Sequence, residues 1–285
     1  LITISKLVPL ALFIAIGIFF INGANFTPVF PQDIYVDGSF AQAAVLLFFA
    51  YTGFEVIAIA AEDMKNPKKN LPRAIIMCML LVSVLYMAIL AVSIGVLGTD
   101  LANTKAPVQD AFNVIVGPIG MYIVLVGTLI SMGGINFAEA YYAPRVATSM
   151  AEDGMLPSAL AKRNRYNAPY IAAIVTAIAS VLLAWSGSFT TLAAISAVSR
   201  FTQYLPTCLA VIIFRRKWAD KARSYTIPGG YLIPVIAIGT SLWMLAQAQT
   251  NQLLWGLGGC IVILPFYYSY WKKKKAGLIK DHDEM

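Results

Sequence analysis

The sequence is short of charged residues, which make up 12% of its 285 positions, whereas hydrophobic residues make up 59%. Soluble globular domains carry about 25% charged residues, which keep their surfaces hydrated. A chain with so little charge cannot cover a water-exposed globule with polar side chains. The composition therefore excludes a soluble globular protein and predicts an integral membrane protein.

Histidine is nearly absent, since His282 is the only one, and there are three cysteines. One histidine cannot build a histidine-based metal site or a catalytic triad. Cys78, Cys208 and Cys260 fall inside apolar stretches, where cysteine behaves as a small hydrophobe, and their spacing fits neither a zinc site nor a disulfide framework. We therefore expect no enzyme activity, no metal and no cofactor.

Long apolar runs dominate what is present. An α-helix needs roughly 20 apolar residues to cross hydrocarbon about 30 Å thick, and such runs recur along the whole chain. They do not alternate polar with apolar residues as the strands of a membrane barrel do. The sequence predicts an all-α membrane protein with eight transmembrane helices, at about 3–22, 40–61, 73–97, 119–148, 169–186, 190–214, 231–248 and 252–271.

Basic residues concentrate in alternate connections between these runs. The connections near 23–39, 98–118, 187–189 and 249–251 contain Lys105 as their only lysine or arginine. Basic loops stay on the cytoplasmic side, so the remaining connections and the C-terminus are expected there. This distribution predicts a transmembrane domain at 1–271 and a basic cytoplasmic tail at 272–285. Short basic loops favour contact with the lipid bilayer and argue against a nucleic-acid partner.

The second run contains Gly53 and the carboxylate Glu55. A carboxylate inside a membrane span is costly and usually functional. A helix interrupted at a glycine exposes backbone groups that can hold a small charged substrate, so the pair favours a transport site. The alternative is that Gly53 is a helix-packing position and that a neighbouring residue neutralises Glu55.

The residues around this interruption resemble those of the amino acid/polyamine/organocation permeases, a superfamily of secondary transporters with twelve helices. The resemblance is carried by FFAYTGFE at 48–55 followed by AEDMKNPKKNLPRAI at 61–75, by APRVATSMAEDGMLPSALAKRNRYNAPYIAAI at 143–174, and by YLPTCLAVIIFRRK at 204–217. It assigns the eight runs to family helices five to twelve. It implies a partial LeuT-like fold and a truncated permease that lacks helices one to four.

The resemblance also implies which residues act. The unwound part of the second run would contact the substrate, with Phe49 stacked over it as a gate; these residues are Phe49, Ala50, Tyr51, Thr52, Gly53 and Phe54. We expect Glu55 to have a structural or proton-linked role. Lys6 would occupy the place of a coupling ion, with Ser131 as its neighbour. The alternative for Lys6 is a lysine that extends toward the lipid headgroups.

Arg200 and Tyr204 share a face of the sixth run, because they are four residues apart. An arginine midway along a membrane helix is too costly to face lipid. Two interpretations remain open: Arg200 pairs with Glu55 or Glu139, or it selects an anionic or polar substrate. We expect both residues to take part in coupling or gating.

The resemblance implies amino acid transport across the cytoplasmic membrane by alternating access, coupled to protons or to amino acid exchange. A polyamine or amine exchanger is the alternative within transport. A receptor or channel subunit that does not transport is the alternative outside it. The identity of the substrate, the coupling ion and the oligomeric state stay open.

Overall fold

The computed structural model describes residues 2–27, 39–55, 57, 64–219, 223 and 225–275, and all regular structure in them is helical. Short 3₁₀ turns lie between some of the α-helices. The α-helices are α1 (Ile2–Gly17), α2 (Ser39–Ala50), α3 (Pro67–Leu97), α4 (Pro107–Val116), α5 (Pro118–Glu152), α6 (Tyr170–Ser186), α7 (Phe189–Lys217), α8 (Leu232–Gln247) and α9 (Thr250–Lys275). The all-helical prediction is confirmed.

Each predicted run corresponds to one helix other than α4. Helices α3, α5, α7 and α9 are long and apolar enough to cross a membrane, whereas α1, α2, α6 and α8 are shorter apolar helices. The count of eight spans therefore stays a prediction. Residues 56 and 58–61 of the second run lie outside the described residues, as do Glu62, Asp63 and residues 276–285 of the tail.

The start of α3 differs from the prediction. The helix begins at Pro67, six residues before the predicted start, so Lys68 and Lys69 are helical and do not lie in a loop. Proline is well suited to the first position of a helix, where its missing N–H is not needed. The side-chain amide of Asn70 also donates to the carbonyl of Lys65 at 2.6 Å, which fixes the entry into the helix.

The connection predicted at 98–118 contains the unpredicted helix α4. Its start has Pro107 at the first helical position, and the Thr104 hydroxyl hydrogen-bonds the Asp110 carboxylate in the first turn. Ala111 and Phe112 are buried on its inner face. The helix is too short to span a bilayer, so the lengths of the apolar runs do not predict it.

The chain divides into two compact bodies, residues 1–36 with 74–139 and residues 37–73 with 140–285. The first has a core of Phe13, Val92, Phe112 and Val124, in which the rings of Phe13 and Phe112 meet edge to face at 5.6 Å. In this body a Cβ at Gly127 would collide with the ring of Pro9, so α1 and α5 approach closely there.

In the second body, α7 contacts α2, α6, α8 and α9. Its buried side includes Ala194, Ala197, Val198 and Phe201, which are 3% exposed or less. Small alanines let neighbouring helices approach closely, which is how membrane helices gain van der Waals contact. This body contains the interrupted end of α2.

Gly256 of α9 provides a test of this packing. A Cβ at Gly256 would lie 2.7 Å from Cγ1 of Val198, whereas a Cβ at Gly259 on the same helix would meet nothing within 4 Å. Overpacking costs about 1–3 kcal/mol, so we expect G256A to lower the melting temperature of the detergent-solubilised protein. G259A should leave it unchanged or raise it. Equal effects of the two substitutions would contradict the α7–α9 contact.

Candidate functional site

Helix α2 ends at Ala50, and the chain then leaves helical geometry. The backbone N–H groups of Tyr51 and Thr52 donate to the carbonyls of Phe48 and Phe49 at 3.1 and 3.0 Å, which tightens the last turn. Gly53 has φ +105°, a conformation that residues with a Cβ rarely adopt. Regular α-helix therefore stops before Gly53, at the position where the sequence predicts an interruption.

Glu55 folds back onto this interruption. Its Oε2 accepts a hydrogen bond from the backbone N–H of Gly53 at 2.9 Å. The same oxygen accepts from the Tyr204 hydroxyl of α7 at 3.1 Å. Its Oε1 pairs with Nη1 of Arg200, also on α7. The Glu55 carboxylate thus provides an acceptor for the N–H of Gly53, which has no acceptor within α2. It also connects the end of α2 to α7 through Tyr204 and Arg200.

The ion pair between Glu55 and Arg200 is largely shielded from solvent. The side chains of Arg200 and Glu55 are 31% and 17% exposed. Of the two pairing partners that the sequence offered for Arg200, the structure brings Glu55 into contact. A guanidinium beside the carboxylate reduces the cost of holding a charge inside an apolar helix layer.

Aromatic rings pack against Tyr204, whose hydroxyl donates to Glu55. Phe54 lies against Tyr204 with ring centroids 5.8 Å apart. Phe48 stacks on the buried Phe201 at 4.7 Å and meets Tyr204 edge to face at 5.9 Å. The contacts with Phe48 and Phe54 therefore hold the Tyr204 ring in place beside Glu55.

Sequence reasoning missed Phe48 and Phe201 as parts of this site. Each is adjacent to a residue that was selected: Phe48 precedes Phe49, and Phe201 follows Arg200. The available signal was the three-residue spacing of Phe201 and Tyr204, which puts both on one face of α7. That spacing does not identify the ring on α2 that contacts them.

The remaining residues of the predicted substrate segment have different environments. Phe49 packs partly buried against Val45 and Ala194, and its ring meets Phe189 edge to face at 6.2 Å. The Thr52 hydroxyl donates to the Phe49 carbonyl at 2.7 Å. Ala50 and Gly53 are exposed, and Tyr51 is half-buried. The segment therefore combines the partly buried aromatic side chain of Phe49 with exposed residues at Ala50 and Gly53.

Lys6 and Ser131 lie in the other body, both half-buried. Their sequence neighbours Ser5 and Ile130 line one apolar groove between α1 and α5. The structure thus brings the two helices together. It records no side-chain hydrogen bond that joins Lys6 or Ser131 to another described residue, so the predicted contact between them stays a prediction.

A model of the amino acid permease family matches residues 1–270. The chain belongs to this family. It is 28% identical over 277 residues to the branched-chain amino acid permease BcaP of Bacillus subtilis, and 29% identical over 277 residues to the methylthioribose transporter of that species. The serine/threonine exchanger SteT of B. subtilis is 29% identical over 282 residues.

These matches cover 95%, 95% and 96% of this chain, and 58%, 59% and 64% of the three relatives. The chain therefore spans less than two thirds of the length of each. Since the relatives are permeases and transporters, the family supports transport and does not support enzyme activity. The family and the apolar helices together indicate a multi-pass membrane protein.

The pairing of Glu55 with Arg200 predicts coupled stability effects. We expect E55Q and R200M each to lower the free energy of unfolding by on the order of 2 kcal/mol, less than a fully buried pair loses, because each leaves a charge without its partner. The double variant E55Q/R200M should lose less than the sum of the two. Chemical unfolding in detergent of the natural polypeptide, the two single variants and the double variant measures this double-mutant cycle.

R216M is the matched control, since Arg216 is an exposed arginine on the same helix. Its effect should stay within about 0.5 kcal/mol, as for most surface substitutions. Strictly additive losses from E55Q and R200M would show that the two side chains do not interact.

Proposed function

We propose that this chain forms the substrate-translocating part of an amino acid permease in the cytoplasmic membrane and works by alternating access. In this proposal its helices correspond to helices five to twelve of a LeuT-like fold, with eight spans in residues 1–271. The basic tail from 272 onward lies in the cytoplasm. The names of the relatives support amino acids as the substrate class, since two of the three are named for them.

The observation that carries the proposal is the interruption of α2 at Gly53, which Glu55 ties to α7. Transporters of this architecture bind their substrates where helices are discontinuous, because the ends of helices present unpaired polar groups. The C-terminal end of an α-helix carries a partial negative charge of about half an elementary charge. At Ala50 this end suits the ammonium group of an amino acid, and Phe49 and Phe54 supply apolar contact beside it.

The same contacts suggest how the site changes state. Glu55 lies in the segment that follows α2 and Tyr204 lies on α7, so a movement of that segment away from α7 breaks their hydrogen bond and the ion pair with Arg200. Such a link gives discrete closed and open arrangements. We infer that proton coupling, where present, acts through Glu55 or through Lys6 on α1, since a carboxylate and an amine can both exchange a proton in an apolar environment.

The test is uptake and counterflow of labelled amino acids by the natural polypeptide in proteoliposomes, with and without a pH gradient. We expect saturable uptake of at least one amino acid. Stimulation by an inward proton gradient indicates symport, whereas stimulation by internal amino acid alone indicates exchange. If no amino acid moves under any of these conditions, the proposed function is wrong.

Gly53→Ala tests the role of the interruption. A Cβ at this position meets nothing within 4 Å, so only the backbone conformation at φ +105° opposes the substitution. Strain of ~1.4 kcal/mol or more should reduce uptake by about tenfold. Gly258→Ala is the control, since its Cβ is also unobstructed but Gly258 lies within α9. Equal uptake by both variants would show that transport does not depend on the backbone conformation at Gly53.

A further inference from the structure

The negative charge at the interruption of α2 is already balanced within the protein. Glu55 has three partners: it forms an ion pair with the guanidinium of Arg200 and accepts hydrogen bonds from the hydroxyl of Tyr204 and the backbone N–H of Gly53. The other carboxylates described in this body are Glu152 and Asp153 at the end of α5, where Glu152 pairs with Arg163 at 2.9 Å. Glu55 is thus the carboxylate of the interrupted segment, and it is engaged.

A ligand at this position would meet partial charges. The end of α2 offers the attraction of about half a negative charge, which suits one ammonium group. Arg200 forms an ion pair with Glu55, and its positive charge is thereby neutralised. Arg200 therefore does not offer a full positive charge to the carboxylate of a ligand. This side of the site is therefore matched to a molecule whose own charges sum to zero.

A second cationic group on the ligand would need Glu55 as its partner. If Glu55 turned to such a group, Arg200 would lose its counterion in a low-dielectric layer, and Gly53 and Tyr204 would lose an acceptor. Removing one partner of a shielded ion pair is strongly destabilising, because the other partner remains as a charge without a counterion. This loss of stability is larger than the stability that the pair adds relative to two apolar side chains in its place. The existing pair therefore opposes the binding of a ligand with net positive charge.

We propose that Arg200 determines the charge selectivity of this site: by neutralising Glu55, it restricts the substrate to amino acids with uncharged side chains and excludes basic amino acids and polyamines. This inference rests on the proposed transport function. Arg200 acts through Glu55 and is a positioning residue that does not contact the substrate. The same balance excludes acidic amino acids, because the charge of Arg200 is already used.

The natural polypeptide in proteoliposomes provides the first test. Uptake of labelled leucine, serine, lysine, putrescine and glutamate is measured, with each as a competitor of the others. We expect leucine or serine to be preferred over each charged compound by about tenfold or more, the ratio that ~1.4 kcal/mol of unmatched charge produces. This comparison needs no variant, so it decides the question even where a substitution prevents folding.

Two variants then shift selectivity in opposite directions. R200M leaves Glu55 without its counterion and should raise uptake of lysine or putrescine relative to leucine by about tenfold. E55Q leaves Arg200 without its counterion and should raise uptake of glutamate relative to leucine. The double variant E55Q/R200M should restore the preference for leucine, and R216M should leave every ratio unchanged. A purely structural role would lower all rates together without these opposite shifts.

The outcomes distinguish a failure of the proposed charge selectivity from a failure of the proposed transport function. If the unaltered protein transports lysine, putrescine or glutamate as well as leucine, the charge selectivity is wrong while transport stands. The same holds if R200M and E55Q change all rates equally. If neither these five compounds nor any other labelled amino acid is transported, the proposed function and this inference are both overturned.

Discussion

A carboxylate in an apolar helix layer must find a partner, and the structure around α2 follows from how Glu55 meets this requirement. Desolvation makes an isolated charge in such a layer too costly to keep. Arg200 faces the same constraint, and the two side chains meet between α2 and α7. The pair thus links the segment that follows α2 to the middle of α7, where the other contacts are van der Waals contacts between small and aromatic side chains.

The interruption of α2 and the ion pair depend on each other. A broken helix leaves backbone N–H groups without acceptors, and Glu55 supplies one to Gly53. Since this carboxylate is only two residues beyond the glycine, it can do so only while the backbone turns at Gly53. The turn, the capped N–H and the contact with Tyr204 therefore form one unit. A unit of this kind can keep the end of α2 in place while the N–H of Gly53 retains an acceptor.

Much of the fold could be predicted from the sequence because each apolar run is near membrane length and ends at polar or glycine-containing segments. Helix α4 could not, since a short helix with one buried face lacks that length signal. At the site, Gly53 and Glu55 stood out because glycine permits a break in a helix and a carboxylate is costly inside a membrane span. The partner of Arg200 stayed ambiguous between Glu55 and Glu139, because spacing places residues on a helix face but does not establish which helices meet. The ring of Phe48 was missed for the same reason.

The most direct measurement is an electron cryomicroscopy structure of the natural polypeptide in a lipid nanodisc with a bound neutral amino acid. This account predicts that α2 stops before Gly53, that the Glu55 carboxylate contacts Arg200 and Tyr204, and that the ligand's ammonium group lies against the backbone at the end of α2. A helix that runs unbroken through Gly53, or a Glu55 carboxylate that leaves Arg200 to contact the ligand, would contradict it.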